Sequence, residues 1–403
     1  MNNQTLPSAE KPLAGILILE LSSMVTCAMA SMTMEAQGAT VIKVEPPGTG
    51  DIMRHLGHQK NGVSALFHSC NRGKQSLAID LKSPEGVEAI KALAAKADIV
   101  MHNYRPNVME RLGLSSDTLR SINPRLIYIA VTGFGTTGPK AGEPAYDHVI
   151  QGMTGFTDLQ APGDNEFSYI RTLLCDKITA YTVCQAATSA LVARGATQLG
   201  QHIDISMLHA CLAFMWPDGM MHHTLHDDDV LPMSPMSDYY QTLNLHDGAV
   251  ALAPLQDSHW PVVLDLLGYP ELLDGPVFAT MGSRLSNMDK VSEILRTPRK
   301  DLGVTKTLKV LKAADIPCAL CERRDTIMDN VQIKAIGALE TYVTETLGEL
   351  TLPTPPVQFG GTATTQALPS PTLGEQSREI LHELDWSDAR IDALVEKQIV
   401  QCG

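Results

Sequence analysis

Asp176 is the residue of this chain with the widest choice of chemistry. It lies between the mostly apolar segment 169–175 and a predicted helix over residues 178–194, which contain no proline. The first turn of a helix carries the positive end of the helix dipole, which favours an ionised carboxylate. Such a carboxylate can be a nucleophile, and it can equally be a helix N-cap, because aspartate is among the commonest capping residues. The neighbouring residues alone leave both roles open and favour capping.

Other reactive residues are weaker candidates. Cys318 and Cys321 form the only C-x-x-C pair, but zinc needs further ligands, so a buried strand cysteine is the better interpretation. His222 and His226 would share a helix face, yet their segment is polar and is typical of a linker. Residues 133–138 match G-x-G-x-x-G, but a loop rather than a helix follows them, which argues against a dinucleotide site. We therefore expect no metal and no redox cofactor.

Length and composition indicate an ordinary globular protein of two or three domains. The chain has 403 residues, of which 44% are hydrophobic and 19% are charged. Its net charge of −14 leaves no basic stripe for a phosphate backbone, so we expect no nucleic-acid partner. Eight scattered cysteines fit reduced thiols. Because no signal-peptide pattern and no membrane-length apolar segment occur, we expect a cytoplasmic protein without a membrane partner.

Strands and helices alternate through the first half of the chain. Strands are predicted at 13–21, 40–45, 76–81, 98–103, 125–131 and 201–206, and helices at 25–37, 83–96 (with Ser83 as N-cap) and 178–194. This alternation predicts a parallel, doubly wound α/β sheet. After an irregular stretch at 217–240, residues 241–325 predict a smaller α+β domain, with a strand pair at 239–242 and 249–253. Residues 350–364 predict extended chain, and 385–401 a helix capped by Ser387.

Several sequence blocks occur in one order over nearly the whole chain. They are GATVIKVEPPGTGD at 38–51, NRGKQSLAIDLK at 71–82, ADIV at 97–100, NYRP at 103–106, RLG at 111–113, NPRLIY at 123–128, TGFG at 132–135, AYD at 145–147 and PTLGE at 371–375. In this order and spacing they resemble the class III CoA-transferases, the family of formyl-CoA, carnitine and bile-acid CoA-transferases.

The resemblance implies a fold and a set of site residues. The fold is α/β: a Rossmann-like large domain with a parallel sheet (1–220 and 330–403), a smaller α+β domain with linkers (221–329), and an interlocked homodimer. Asp176 stands where that family has its nucleophilic aspartate. Coenzyme A, arriving as the acyl-CoA substrate, would bind along the large domain at positions matched to the family: Val25, Thr26, Ile79, Lys82, Asn103, Arg105, Arg111, Tyr146 and Asp147.

The implied reaction transfers CoA from an acyl-CoA donor to a small carboxylic acid. Asp176 would form a mixed anhydride with the acyl group and then an aspartyl-CoA thioester, and the incoming acid would reverse these steps. No metal is implied.

Two other functions stay open. The similar α-methylacyl-CoA racemases pair an aspartate with a histidine as acid and base. That histidine would fall at Tyr146, whose phenol, with a pKa near about 10, is a poor base at neutral pH; His148, two residues on, is a possible substitute. The second alternative is a CoA-binding protein without turnover, against which the presence of Asp176 argues.

Two departures from the family pattern bear on the substrate. Formyl- and oxalyl-type transferases have a run of glycines in the small domain, whereas residues 236–262 hold only Gly248. The basic residue that follows the Glu45 position in those enzymes is Pro46 here. Both features disfavour oxalate. Arg171, five residues before Asp176, could pair with a substrate carboxylate or form a structural ion pair.

Overall fold

The computed structural model describes residues 11–161, 166–231, 233–360 and 368–403. The chain divides into two compact units, Met1–Phe214 with Lys334–Gly403, and Met215–Ile333. The first unit therefore combines both ends of the chain, and the division falls within one helix, Met207–Gly219.

The strands, in chain order, are β1 Leu17–Leu21, β2 Thr40–Glu45, β3 Gln59–Lys60, β4 Val63–Ser64, β5 Gln75–Ile79, β6 Ile99–His102, β7 Ile127–Thr132, β8 His202–Ser206, β9 Gln241–Leu245, β10 Gly248–Leu252, β11 Cys318–Leu320, β12 Leu339–Thr344, β13 Gly348–Pro353 and β14 Val400–Gln401.

The α-helices are α1 Val25–Ala36, α2 Ala65–Asn71, α3 Pro84–Ala94, α4 Val108–Arg111, α5 Ser116–Ile122, α6 Asp147–Thr154, α7 Phe156–Leu159, α8 Leu174–Thr197, α9 Met207–Gly219, α10 Trp260–Leu267, α11 Met281–Leu285, α12 Met288–Arg296, α13 Val304–Ala313, α14 Val331–Ala335, α15 Ser377–His382 and α16 Asp388–Glu396. No helix in the described ranges is long and apolar enough to cross a membrane.

The first unit is built on a parallel sheet. Within the described ranges this sheet has seven strands in the order β14-β5-β2-β1-β6-β7-β8, and only β14 runs antiparallel to its neighbour. The six parallel strands thus follow the order third, second, first, fourth, fifth, sixth, which is that of a doubly wound sheet with its switch point between β1 and β6. The predicted parallel α/β sheet is confirmed.

The local sequence explains most of these elements. The central strands are continuous apolar runs because both faces of the sheet are covered: Ile18, Leu19 and Val100 are fully buried. Strand β2 has its predicted bounds, and Ser83 caps α3 by accepting the Gly86 N–H at 2.9 Å. One face of the sheet packs against residues from both chain ends, including Ile90, Leu93, Leu119, Ile380, Leu381, Trp386 and Ile391.

The C-terminal predictions need correction. Ser387 does cap a helix, but α16 ends at Glu396 instead of reaching 401, and β14 then pairs with β5 at the sheet edge. A two-residue strand is too short to give a periodic signal. Predicted extended chain at 350–364 overlaps β13, which pairs with β12 as an antiparallel hairpin; residues 361–364 lie outside the described ranges.

The second unit has its own antiparallel sheet and core. Strands β11, β10 and β9 form the sheet in that order, so the predicted strand pair is confirmed with shifted ends. Its core includes Leu243, Val250, Trp260, Leu264 and Leu311. Helix α9 extends to Gly219 into residues predicted to be irregular, with Pro217 inside it.

Two glycines on helices are expected to respond oppositely to alanine. A Cβ at Gly86 would lie 2.1 Å from the Asp80 carbonyl oxygen, whereas a Cβ at Gly195 meets nothing within 4 Å. Gly86→Ala is therefore expected to destabilise the protein by about 1–3 kcal/mol through backbone displacement. Gly195→Ala is expected to stabilise α8 by up to about 1 kcal/mol. Unfolding midpoints in urea measure both, and shifts of the same sign would contradict the expectation.

Candidate active site

A cavity of about 520 Å³ opens at the carboxyl ends of the parallel strands. Its wall includes Ser23 and Met24 after β1, Asn103 after β6, Gly133 after β7 and Met207 after β8. Ligands of doubly wound sheets bind at this edge, where the strand order reverses. The cavity therefore lies where the fold predicts a small-molecule site.

Asn103 joins the two sides of the switch point. Its Oδ1 accepts the Ser23 N–H at 3.1 Å, and its Nδ2 donates to the Ser23 carbonyl oxygen. The side chain predicted to contact CoA is thus engaged with the β1–α1 turn, and it lines the cavity as well.

Asp176 lies in the cavity wall at the start of α8. It is 6% exposed, and the Thr26 hydroxyl at the start of α1 donates a hydrogen bond to its Oδ1. The two helices pack against each other, with the Cys184 thiol 3.3 Å from the Ala30 carbonyl oxygen. Oδ2 of Asp176 accepts no hydrogen bond from any residue in the described ranges. The two carboxylate oxygens are therefore inequivalent.

The N-cap interpretation of Asp176 is wrong. Helix α8 begins at Leu174, four residues before its predicted start, so Asp176 is its third residue. Leu173 occupies the N-cap position without a side-chain hydrogen bond. Instead, Asp147 Oδ2 accepts the Asp176 N–H at 3.0 Å, and Asp147 Oδ1 accepts from Gln151 Nε2 at 2.7 Å. A carboxylate from α6 thus performs the capping.

The pKa of Asp176 also differs from the expectation. Burial raises it from 3.8 to about 6, the Thr26 hydrogen bond opposes this rise, the charge of Asp147 adds to it, and the charge of Lys177 opposes it. The start of α8 therefore does not depress the pKa as the helix dipole alone suggests. At neutral pH the carboxylate is still mostly ionised, with a basicity well above that of an exposed aspartate.

The other residues matched to the CoA path fall into two groups. Arg105 and Tyr146 line the cavity with Thr26, Asn103 and Asp176, and Asp147 lies directly behind Asp176.

The second group does not line this cavity. Val25 and Ile79 are buried in hydrophobic clusters, and Ile79 also pairs with Val400 of β14. Lys82 and Arg111 are exposed, and the Arg111 Nε donates to the Asn107 carbonyl oxygen at 3.3 Å. Contacts of all nine matched residues with CoA, in both groups, stay predictions.

His148 and Arg171 are both exposed. The His148 ring stacks on that of Tyr146, with centroids 6.4 Å apart, but His148 is not part of the cavity wall. Arg171 forms no ion pair with any residue in the described ranges, so the structural ion pair considered for it is not observed there.

The remaining sequence motifs do not form sites. Residues 133–146 are a loop, as predicted, and no helix begins before Asp147. His222 lies in a short 3-10 helix that ends at His223, so His226 does not share a helix face with it. Cys318 and Cys321 are free and half-buried rather than buried. In the part of the chain that is described, no three metal-ligating side chains cluster.

Sequence reasoning missed several cavity residues, among them Ser23, Glu143 and Met207. It also missed the capping role of Asp147. Their only sequence signal is position: Ser23 lies two residues after the end of β1, Met207 directly follows β8, and the carboxyl ends of parallel strands meet at one edge.

Comparison with known proteins agrees with this geometry. The sequence model of CoA-transferase family III matches residues 13–377. The chain is 29% identical to succinyl-CoA:glutarate CoA-transferase of Mus musculus, over 97% of this chain and 91% of that protein. It is 30% identical to acetyl-CoA:oxalate CoA-transferase of Acetobacter aceti, over 96% and 100%. A CAIB/BAIF family protein from Brucella suis has a similar structure, with a TM-score of 0.80, 31% identity and coverage of 94% and 100%.

The chain belongs to CoA-transferase family III. It is therefore an enzyme that moves CoA between an acyl-CoA and an acid, and the resemblance to class III CoA-transferases is confirmed.

The raised pKa of Asp176 predicts a pH-dependent cost in stability. The folded state binds an extra proton between about pH 4 and pH 6, so stability falls as pH rises through that window and is not recovered above it. Asp176→Asn removes this cost and is expected to be more stable than wild type at pH 7, by up to about 3 kcal/mol, with the difference vanishing near pH 4.

Urea unfolding at a series of pH values measures the difference. Asp98→Asn is the matched control, because Asp98 pairs with Arg194 at 2.8 Å and accepts the Leu17 N–H at 2.8 Å. It is expected to lower stability at pH 7. A pH-independent effect of Asp176→Asn would contradict the prediction.

Proposed function

We propose that this enzyme transfers CoA from an acyl-CoA to a small carboxylic acid, with Asp176 as the nucleophile. One observation supports this most directly: Asp176 has one oxygen held by Thr26 and the other without a hydrogen-bond partner among the described residues, in the wall of a cavity at the sheet's switch point. A nucleophile needs a lone pair that is neither paired with a cation nor engaged by a donor.

The first unit is proposed to bind CoA. Arg105 lies at the cavity, shortly after the end of β6. Two exposed basic residues are also available: Lys82 lies shortly after β5, and Arg111 is the last residue of α4. Their charges suit the phosphates of CoA. The protein's net charge of −14 makes such a local basic path necessary for an anionic substrate.

In the first step Oδ2 of Asp176 attacks the acyl-CoA carbonyl. The C–S bond breaks, the CoA thiolate leaves with the electron pair, and a mixed anhydride forms in which Oδ2 is the bridging oxygen. Oδ1 then becomes the carbonyl oxygen of the aspartyl side.

In the second step the thiolate attacks the aspartyl carbonyl carbon. Negative charge develops on Oδ1, towards which the Thr26 hydroxyl already points. A donor positioned before charge develops needs no reorganisation, so Thr26 would stabilise this intermediate. The original acid leaves as a carboxylate, and an aspartyl-CoA thioester remains. An incoming carboxylate then repeats both steps in reverse.

The Asp176 N–H is not available as an oxyanion donor, because Asp147 accepts it. This excludes one of the donors that a helix N-terminus would otherwise offer. Thr26 is thus the donor best placed for the aspartyl oxygen, and Asp147 acts by fixing the start of α8.

We also propose the homodimer that the family resemblance implies. Helices α8 and α9 carry large apolar side chains that are exposed in the single chain, including Tyr181 at 51%, Val192 at 78% and Phe214 at 60%. Exposed apolar side chains of this size are typical of surfaces that pair with another protein.

Trapping of the intermediate tests the nucleophile. The protein is incubated with succinyl-CoA or acetyl-CoA and a panel of acids that includes glutarate and oxalate, quenched with hydroxylamine or borohydride, and analysed by peptide mass spectrometry. Modification is expected at Asp176, and Asp176→Asn is expected to lower kcat by about a thousandfold or more. Asp98→Asn, whose ion pair with Arg194 does not touch the cavity, is the control and should retain trapping. Modification only at another residue would contradict the assignment.

Proton exchange separates transfer from racemisation. A racemase exchanges the α-proton of its acyl-CoA with deuterated solvent, whereas a transferase moves CoA between two acids without exchange. The exposure of His148 and its position outside the cavity wall favour transfer.

Two substitutions are expected to move the acid limb of the pH profile in opposite directions. Thr26→Val removes the hydrogen bond that lowers the pKa of Asp176, so the limb in kcat/KM should move to higher pH. Asp147→Asn removes a negative charge that raises this pKa, so the limb should move to lower pH. Thr26→Ser, which keeps the hydroxyl, is the control. Initial rates between about pH 5 and pH 8 measure the limb; shifts in one direction would contradict the assignment of Asp176 as the titrating group.

A further inference from the structure

The turn between β1 and α1 has an unusual backbone conformation. Met24 has φ 68° and ψ −168°, a region that residues other than glycine rarely adopt. Such a conformation costs on the order of 1–3 kcal/mol and persists only where surrounding contacts enforce it. Ser23 and Met24 line the cavity, and Thr26 lies two residues further on. Whatever enforces this turn therefore also sets the position of the Thr26 hydroxyl.

Asp51 makes the contacts that enforce the turn. Its Oδ1 accepts three hydrogen bonds, from the Ser23 hydroxyl at 3.1 Å, the Met24 N–H at 3.2 Å and the Met53 N–H at 2.9 Å. Its side chain is fully buried. One oxygen thus joins both residues of the strained turn to the segment after β2.

The other oxygen of Asp51 is anchored to the interior. Oδ2 lies 2.9 Å from Lys43 Nζ, which also donates to Glu20 Oε1 at 2.7 Å and to the Ser22 carbonyl oxygen at 3.2 Å. Lys43 thus donates two hydrogen bonds, and its contact with Oδ2 of Asp51 is an ion pair without a hydrogen bond, because this buried oxygen has no hydrogen-bond partner in the described ranges. Removing one partner of a buried ion pair leaves an uncompensated buried charge, which strongly destabilises the folded protein. The Lys43 ammonium therefore holds the Asp51 carboxylate in place.

We propose that Asp51 is a positioning residue for CoA transfer: by holding the strained Ser23–Met24 turn against Lys43, it keeps the Thr26 hydroxyl on Oδ1 of Asp176. The proposal rests on the proposed role of Asp176 as the nucleophile. Asp51 itself is not part of the cavity wall, although Ile52, the next residue, is. It acts through Thr26 alone.

The pH dependence of kcat/KM can test this role. Asp51 is not among the groups that shift the pKa of Asp176 directly. Apart from burial and the Thr26 hydrogen bond, the pKa of Asp176 responds to Asp147 from α6 and to Lys177 on its own helix. The thiols of Cys27 from α1 and Cys175 are also close. Burial raises the pKa of Cys27, and a hydrogen bond with Cys211, followed by burial, raises that of Cys175, so both are neutral near pH 7. A shift of the acid limb on changing Asp51 must therefore pass through Thr26.

The test compares Asp51→Ala, Asp51→Asn and Ser23→Ala with wild type. Asp51→Ala removes every contact, Asp51→Asn keeps one acceptor for the turn, and Ser23→Ala removes one donor without changing charge. We expect kcat to fall by about 10- to 100-fold in Asp51→Ala, less in Asp51→Asn, and the acid limb to move to higher pH in that same order. KM for the acyl-CoA should change less than kcat. Where an Asp51 variant fails to fold, Ser23→Ala carries the comparison, with a smaller shift in the same direction.

Asp98→Asn is the matched control for a general loss of stability. It removes a carboxylate that also pairs with a basic side chain and accepts a backbone N–H, at the opposite end of the sheet from the cavity. It should lower the unfolding midpoint and leave kcat per folded molecule and the acid limb unchanged.

Two outcomes count against the inference in different ways. Folded Asp51 or Ser23 variants with the wild-type acid limb, in an enzyme whose Asp176 is trapped normally, would overturn the positioning role alone. A wild-type enzyme that transfers CoA without modification of Asp176 would overturn the proposed function, and the positioning role with it.

Discussion

The hydrogen bond between the Thr26 hydroxyl and Asp176 Oδ1 is the contact on which the rest of the site depends. It joins the first turns of α1 and α8, two helices that pack side by side on the parallel sheet. It makes the two carboxylate oxygens different, because Oδ1 has a hydrogen-bond donor and Oδ2 has none among the described residues. In the proposed mechanism, the packing of the two helices and the turn before α1 together determine which oxygen of Asp176 is the nucleophile.

Burial and ionisation oppose each other at this carboxylate. A buried aspartate avoids water, which would hydrolyse an anhydride or a thioester, but burial also raises its pKa. The Thr26 hydrogen bond limits the rise. Asp147 has two opposing effects: it satisfies the N–H of Asp176 and so fixes the start of α8, while its own charge raises the pKa of Asp176 further. The outcome, a pKa of about 6, leaves a carboxylate that is ionised at neutral pH and more basic than an exposed one.

Local sequence was sufficient to predict those elements that depend on neighbouring residues alone. Strand β2 and the Ser83 cap follow from β-branched alternation and from serine before proline, and the alternation of strands and helices predicts the sheet. The start of α8 could not be predicted in this way, because Leu173 and Leu174 continue an apolar run that suits a strand as well as a helix. Nor could the capping of α8, since its donor and acceptor lie 29 residues apart in sequence. The positive φ of Met24 occurs at a residue type that gives no hint of it.

The buried carboxylates near the cavity differ in what they are free to do. Glu20 is paired with Lys43 and Lys74; burial alone would raise its pKa, but the two ammonium groups lower it well below the usual range. A carboxylate in that state is a weak base and has no free lone pair. Asp176 forms no ion pair among the described residues, and the nearby Lys177 ammonium donates to the Thr172 hydroxyl at 2.6 Å. The fold therefore compensates Glu20 with two ammonium groups and leaves Asp176 at the cavity without a cation among the described residues. A stable core would not require this difference, but a nucleophilic carboxylate does, because its reactivity depends on the lone pair that an ion pair would occupy.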